Sequence, residues 1–307
     1  MDRVKEACAF VSLAELLELK SHAMHFSLKR IKPISSNGSK RFCRLLSRGM
    51  EFEESRRYLP GDDVRSMDWK VTARTGRSHT KLFAEEKENQ VIVAVDMRLP
   101  MFFATEGSFK SVQAALMAAC FSWNALSHKN PIGGLVFTEE KLLEFKSTSL
   151  KKGLHPFLQA LAKESQNFLK EPFGKTCLNL VSFEKIVESL KRMKASQSLI
   201  FLISDFRNMQ EKDLQALVQV AKHSQLFLLF LYDAFEVDLP KNGRFSATDG
   251  KKEIELDLSD KKERENYRKQ FLARKEAVSS LSVYKNIHFI ECSTKDDCLD
   301  LIKNYFN

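Results

Sequence analysis

Two acids in the chain stand directly after long apolar runs. Asp96 follows Val91-Ile-Val-Ala-Val95, and Ser204-Asp205 follows Leu199–Ile203. In an open α/β sheet, ligands sit in the crevice beyond the carboxyl ends of the strands, so both acids fall where chemistry is expected. The loop Gly174-Lys-Thr176 can reach the same edge. Carboxylates and hydroxyls from three loops are what a hard divalent cation such as Mg²⁺ takes. The same acids can equally cap the helices that follow, and spacing alone leaves both readings open.

Other catalytic patterns are excluded by their residues. Phe173-Gly-Lys-Thr176 imitates the end of a phosphate-binding loop, but Leu169 stands where the first glycine is required and no strand leads in. The chain has no Gly-x-Gly-x-x-Gly, Gly-x-Ser-x-Gly or His-Glu-x-x-His. The seven histidines are scattered, and His22 and His25, read as part of the first helix, are expected at the surface. No enzyme is predicted.

The elements that must position the two acids are legible from periodicity. Continuous β-branched or apolar runs at 91–95, 132–137, 198–204, 225–232 and 286–292 predict strands buried on both faces of a parallel sheet. Helical spacing recurs through Phe109, Val112, Leu116, Ala119, Trp123 and Leu126, with Ser108 as the expected N-cap. Further helices are predicted at about 151–163, 182–194, 210–222 and 295–305. This alternation predicts a doubly wound α/β fold. Ser12-Leu-Ala-Glu15 is a capping box opening a short N-terminal helix. An insert at about 235–258 is read as short β-hairpins, and 259–282 as a charge-rich helix.

With 307 residues, 43% hydrophobic and 29% charged, the chain is long enough for a large core. Twenty-four of its aromatic residues are Phe, so that core is expected to be Phe-rich. The best apolar run, Leu226–Tyr232, is far short of the roughly 20 residues of a membrane helix. The N-terminus lacks a signal-peptide pattern, so a soluble, cytoplasmic protein is expected. Cysteines at 8, 43, 120, 177, 292 and 298 lack metal or redox spacing and are read as reduced, buried thiols. Residues 1–50 hold ten Lys/Arg against four Asp/Glu, most of the net charge of +9. Lys29, Arg30, Lys32, Lys40, Arg41 and Arg44 have no interleaved aromatic residues, so a solvated linker is favoured over a nucleic-acid surface.

One block is far more specific. It runs Arg48-Gly-Met-Glu-Phe-Glu-Glu-Ser-Arg-Arg-Tyr-Leu-Pro-Gly-Asp-Asp-Val-Arg-Ser-Met-Asp-Trp-Lys70, then Thr72-Ala-Arg-Thr-Gly76 and Lys81-Leu-Phe-Ala-Glu-Glu86. It closely resembles the bacterial domain-of-unknown-function family 58, whose members carry a von Willebrand factor A-like domain. The similarity continues through Val93–Asp96, Phe109–Ala114, Ile203–Phe206 and Leu231–Asp233, and into the tail. The resemblance implies a six-stranded, mostly parallel sheet. It also implies a partner, a MoxR-type AAA+ ATPase, with which such proteins are thought to act as adaptors. The expected organisation is an N-terminal helix and basic linker (1–47), a signature segment packed on the main domain (48–90), and the α/β domain (91–307).

The same resemblance implies a metal-ion-dependent adhesion site built on Asp-x-Ser-x-Ser. Here that motif reads Asp96-Met-Arg-Leu-Pro100. Arg98 and Pro100 replace both hydroxyls; Asp205, after Ser204, fits the second acid, and Thr176 fits the threonine position loosely against Asn179. A prolyl ring offers a cation nothing, and a guanidinium would repel it and pair with Asp96 or Asp205. The metal site is therefore read as degenerate, with no cofactor expected and Mg²⁺ disfavoured. Asp96, Arg98, Thr176 and Asp205 become the expected partner-binding surface.

In the signature, Arg56, Arg57, Asp62, Asp63, Arg65 and Asp68 can form a recognition surface for a partner or peptide; favoured over this is a structural motif, Tyr58 included, in which Pro60-Gly61 makes a turn, the charges pair internally and Trp69 anchors the segment against the sheet domain. The function expected is a non-enzymatic adaptor for the ATPase and its client proteins, without specific nucleic acid and without a transmembrane segment. The alternative is a nucleic-acid-binding or metal-dependent hydrolytic protein using the basic N-terminal segment and Asp96/Asp205.

Overall fold

Strands buried on both faces have no polar side, and the uninterrupted apolar runs of this chain become such strands. The computed structural model describes residues 9–26, 28, 50–85, 89–170, 181–195, 197–240, 244–248, 253–257 and 261–306. In chain order, helix α1 (Leu13–Glu18) is followed by strand β1 (Met50–Arg57), helix α2 (Trp69–Thr75) and strands β2 (His79–Glu85) and β3 (Val91–Asp96). Next come helix α3 (Lys110–Ser127), strands β4 (Ile132–Phe137) and β5 (Leu142–Thr148), and helices α4 (Lys151–Lys170) and α5 (Phe183–Met193). Strand β6 (Leu199–Ser204), helix α6 (Glu211–Ala221), strand β7 (Gln225–Tyr232) and the helical turn α7 (Ala234–Val237) continue the chain. It ends with β8 (Arg244–Thr248), β9 (Glu253–Asp257), α8 (Lys261–Ser279), β10 (Ile287–Ser293) and α9 (Cys298–Phe306).

The chain divides into two compact units, Met1–Ile34 with Asn89–Asn307, and Ser35–Glu88. In the first, six strands form a sheet of order β10-β7-β6-β3-β4-β5. Its first five strands are parallel, and β5 runs antiparallel along one edge. The doubly wound reading therefore holds. Every residue of β3, β4 and β6 is buried. Alternate residues serve opposite cores: Val91, Val93 and Val95 pack on one face with Phe121, Phe157 and Phe201, whereas Ile92 and Ala94 pack on the other with Phe183, Leu217 and Phe271. The core is Phe-rich, with Phe121 stacked 4.1 Å from Phe201.

Sequence reading missed β5, because its alternating pattern with exposed Glu144 and Lys146 belongs to a half-solvated edge strand rather than a buried one. Two boundaries are corrected. Phe109, not Ser108, occupies the N-cap position of α3, and no side chain caps that helix. The insert opens as a helical turn rather than a hairpin, because Asp233 and Glu236 form a capping box; the hairpin is confined to β8 and β9.

The N-terminal helix belongs to the α/β unit, not to a separate extension. Its Ser12–Glu15 capping box is formed. Trp123 Nε1 donates to the Leu16 carbonyl at 2.9 Å, and Asn124 Nδ2 donates to the carbonyls of Ala23 and Phe26 at 2.7 Å. His22 and His25 lie in a 3-10 turn after α1 rather than on it. Lys29, Arg30, Lys32, Lys40, Arg41 and Arg44 lie outside the described residues, as do Cys8, Cys43 and Cys177. Cys120, Cys292 and Cys298 are free and buried, and burial pushes the Cys120 and Cys292 thiols up to about 12.

Helix α4 reaches the sheet through a glycine. A Cβ on Gly134 would stand 2.3 Å from the Phe157 ring. Gly134→Ala is therefore expected to lower stability by about 1–3 kcal/mol through overpacking, read as a lower denaturation midpoint with the slope unchanged.

In the second unit, β1 and β2 pair antiparallel. The acids of the signature motif build its turns. Asp62 Oδ1 accepts from Arg56 at 2.7 Å and Oδ2 from the Leu59 amide at 2.9 Å. Asp63 accepts the Arg65 amide, and Asp68 caps α2 while accepting the Ser55 hydroxyl. The Tyr58 hydroxyl donates to the Asp62 carbonyl, and Gly61 takes φ +103°. The Arg57, Pro60 and Arg65 side chains are exposed. The Trp69 side chain is 66% exposed.

Candidate functional site

In chain order the strands of the six-stranded sheet lie 3-2-1-4-5-6 from the antiparallel edge, so the order reverses between β3 and β6. That switch point is where a doubly wound sheet opens its crevice. Val95 lies opposite Ile203 in the register, which brings Asp96 and Ser204 together at the strand ends. Both are fully buried, as is Asp205.

Asp96 is closed by its own chain. Arg98 Nε donates to Oδ1 at 3.0 Å and Nη2 to Oδ2 at 2.7 Å, a bidentate pair. The Arg98 amide adds a bond to Oδ1 at 2.9 Å, and the Ser204 hydroxyl one to Oδ2 at 2.6 Å. An ionised carboxylate has about four lone-pair sites, and all are taken. The guanidinium also lies 5.5 Å from the Phe137 ring centre and 5.8 Å from that of Phe183, a cation–π setting. Burial opposes the Arg98 charge, but Asp96 outweighs it and holds the group protonated. Pro100 sits in the 3-10 turn Leu99–Met101. Glu139 accepts the Leu99 amide at 2.6 Å, yet burial raises its carboxyl above the usual range.

These residues do not fit a divalent cation. Between Asp96 and Pro100 no side chain carries a hydroxyl, and the Asp96 carboxylate is saturated with a permanent cation among its partners. Among the described residues, no three His, Cys, Asp or Glu side chains converge as a ligand set. Thr176 and Asn179 lie outside the described residues.

Asp205 belongs to a second cluster that the sequence did not announce. Phe206 and Asn208 take φ +54° and +62°, left-handed values that side chains with a Cβ rarely adopt. The tight turn lets the Arg207 amide reach Asp205 Oδ1 at 3.0 Å. Lys110, at the start of α3 and fully buried, places its Nζ 3.2 Å from Asp205 Oδ2 and 3.0 and 3.1 Å from the Glu236 oxygens. Arg207 completes the group, with Nε 3.2 Å from Asp205 and Nη2 donating to Glu236. Burial alone would raise the Asp205 carboxyl; Lys110, Arg207 and Arg274 overcome it and hold the group well below the usual range.

The next strand also ends in a buried acid. Asp233, after β7, accepts the Thr105 amide and hydroxyl at 2.9 and 2.6 Å, the Thr294 hydroxyl at 2.5 Å and the Phe235 amide at 2.9 Å. Those hydroxyl bonds outweigh burial and keep its carboxyl low. Three adjacent strand ends thus carry acids, each held differently: by a guanidinium, by an ammonium–guanidinium group, and by hydroxyl and amide hydrogen bonds.

A sequence profile of the family described as "Protein of unknown function DUF58" matches residues 54–278. The chain belongs to the DUF58 family. The DUF58 match spans Asp96, Arg98, Lys110, Asp205, Arg207, Asp233 and Glu236, so both clusters lie inside it. Uncharacterized proteins of Mycobacterium tuberculosis and Mycobacterium bovis are each 28% identical to this DUF58 chain over 195 residues. The alignments cover 64% of the chain and 59% of those proteins, so it spans about three fifths of their length. Among solved structures, the conserved hypothetical protein BatB from Bacteroides thetaiotaomicron is similar at 15% identity and a TM-score of 0.41, over 70% of this chain and 96% of that one. Among the described residues no helix is long and apolar enough to cross a membrane.

Proposed function

We propose that this DUF58 chain is a non-enzymatic protein-interaction domain of the von Willebrand factor A type. It works in the cytoplasm as the adaptor of a MoxR-type AAA+ ATPase in the maturation of client proteins or complexes. The observation that carries this reading is the saturation of Asp96: a carboxylate with four intramolecular donors offers no general base, nucleophile or open metal ligand. What is left at the switch point is a buried, hydrogen-bonded group that fixes the loops at the strand ends, and those loops are suited to recognition. The ATPase follows from the resemblance of Arg48–Lys70 and the later motifs. The hydrolytic or nucleic-acid-binding alternative would use Asp96 and Asp205, and the engagement of Asp96 by Arg98 and Ser204 favours the interaction reading over it.

The test is direct binding between the full chain and the MoxR-type ATPase of the same organism, by size-exclusion chromatography with ATP or ADP at low and moderate salt. A stoichiometric complex in at least one nucleotide state is expected. No complex in any of these conditions sinks the adaptor reading.

A further inference from the structure

The charges around Asp205 and Glu236 are not all paired. Lys110, Arg207 and Arg274 bring three positive charges to two acids. Lys110 and Arg207 pair with both acids. Arg274 pairs with neither, and among the described residues its Nε is shut off from solvent without a hydrogen-bond partner.

What holds Arg274 is aromatic. Its guanidinium lies 5.5 Å from the Phe271 ring centre and 5.9 Å from that of Phe230. Such stacking fixes the plane of the group and strips part of its hydration. Burial disfavours its charge, and Arg207 adds repulsion that Asp205 and Glu236 only partly offset. Arg207 Nη2 lies 3.3 Å from the Tyr267 hydroxyl, two turns before Arg274 on α8. That hydroxyl accepts from Arg207 and keeps its own proton to donate. The Arg207 side chain is 32% exposed, and Arg274 and Tyr267 are half-buried, so the group opens to solvent.

We propose that Arg274, with Arg207 and Tyr267, seats a single carboxylate supplied by an acidic residue of a bound protein. Arg274 has no acid of its own, so one carboxylate completes its pairing. A guanidinium takes a carboxylate through two parallel N–H donors, and the tyrosine adds a third. The protein origin of the ligand rests on the interaction reading, whereas the seat itself does not.

Acetate titrated against chloride at constant ionic strength, followed by NMR at the arginine Nε–Hε signals, tests the seat without any ATPase. A saturable shift of the Arg274 signal is expected. In Arg274→Met, acetate affinity read at the Arg207 signal should fall about tenfold, the loss of one charge-assisted pair. Methionine preserves contact with both rings, and a retained amide spectrum establishes folding. If that variant does not fold, Arg274→Lys, which keeps the charge but loses the fork, should weaken acetate in the same way. No saturable shift at Arg274 overturns the seat; saturation with inorganic phosphate but not acetate overturns the carboxylate. An intact acetate site without ATPase binding counts against the adaptor reading alone.

Discussion

Lys110→Met is expected to cost the fold about 3–5 kcal/mol, the usual penalty for removing one partner of a buried charge group. The ammonium is fully buried and touches three carboxylate oxygens of Asp205 and Glu236. Methionine fills nearly the same volume, so the loss isolates charge from packing. Two acids are then left paired with Arg207, with Arg274 near but bonded to neither. Adding Asp205→Asn and Glu236→Gln to the same variant should recover part of the loss, because neutral replacements of a buried ion group are often close to neutral in stability. Urea denaturation reads the effect. A loss below about 1 kcal/mol would mean that the ammonium does not hold these acids.

The pH dependence gives that result a sign. Burial would raise the Asp205 carboxyl, but Lys110, Arg207 and Arg274 prevail and hold it at about 2. A depressed folded pKa contributes stability that is complete above the unfolded value of about 3.9. That stability is lost as pH falls from about 4 toward 2, because the unfolded chain takes up its proton first. Without Lys110 the folded carboxyl titrates higher, so the deficit of Lys110→Met should be largest near pH 7 and narrow only as pH falls toward 2. A deficit constant from pH 7 down to about pH 2 would assign it to packing.

These two clusters were unequally legible in the sequence. Asp96 and Asp205 announce themselves because each ends an unbroken apolar run, which only a strand buried on both faces needs. Arg98 is legible by its spacing of two from Asp96. Lys110 is not, because a lysine opening a helix ordinarily lies in water, and its burial depends on Glu236, 126 residues away. Glu236 carried a usable signal: Asp233-Ala-Phe-Glu236 has the spacing of a capping box and marks a helical turn where hairpins were expected. The Thr105–Asp233–Thr294 latch joins loops 128 and 61 residues apart, and no local pattern encodes it. β5 was missed for the opposite reason: an edge strand is half polar and resembles a loop.

Mg²⁺ and Mn²⁺ are expected to leave the melting temperature of the unmodified protein unchanged, and Arg98→Ser with Pro100→Ser to create a saturable increase. A ligand stabilises only by binding the native state. A cation at Asp96 would have to displace the two side-chain N–H donors now 3.0 and 2.7 Å from its oxygens. It would also sit roughly 4 Å from a guanidinium, a repulsion of about 4 kcal/mol per unit charge at an effective dielectric of 20. The guanidinium cannot yield by deprotonating, and its seat beside Phe137 and Phe183 holds it in place. Two serines remove that charge and return hydroxyls beside Asp96 and Ser204, the ligand chemistry a hard cation needs. Arg98→Ala alone leaves Asp96 buried without a counter-charge and should cost about 3–5 kcal/mol at neutral pH. Calorimetric titration decides the central point: saturable Mg²⁺ binding to the unmodified protein that vanishes in Asp96→Ala would show that Arg98 has not taken the cation's place.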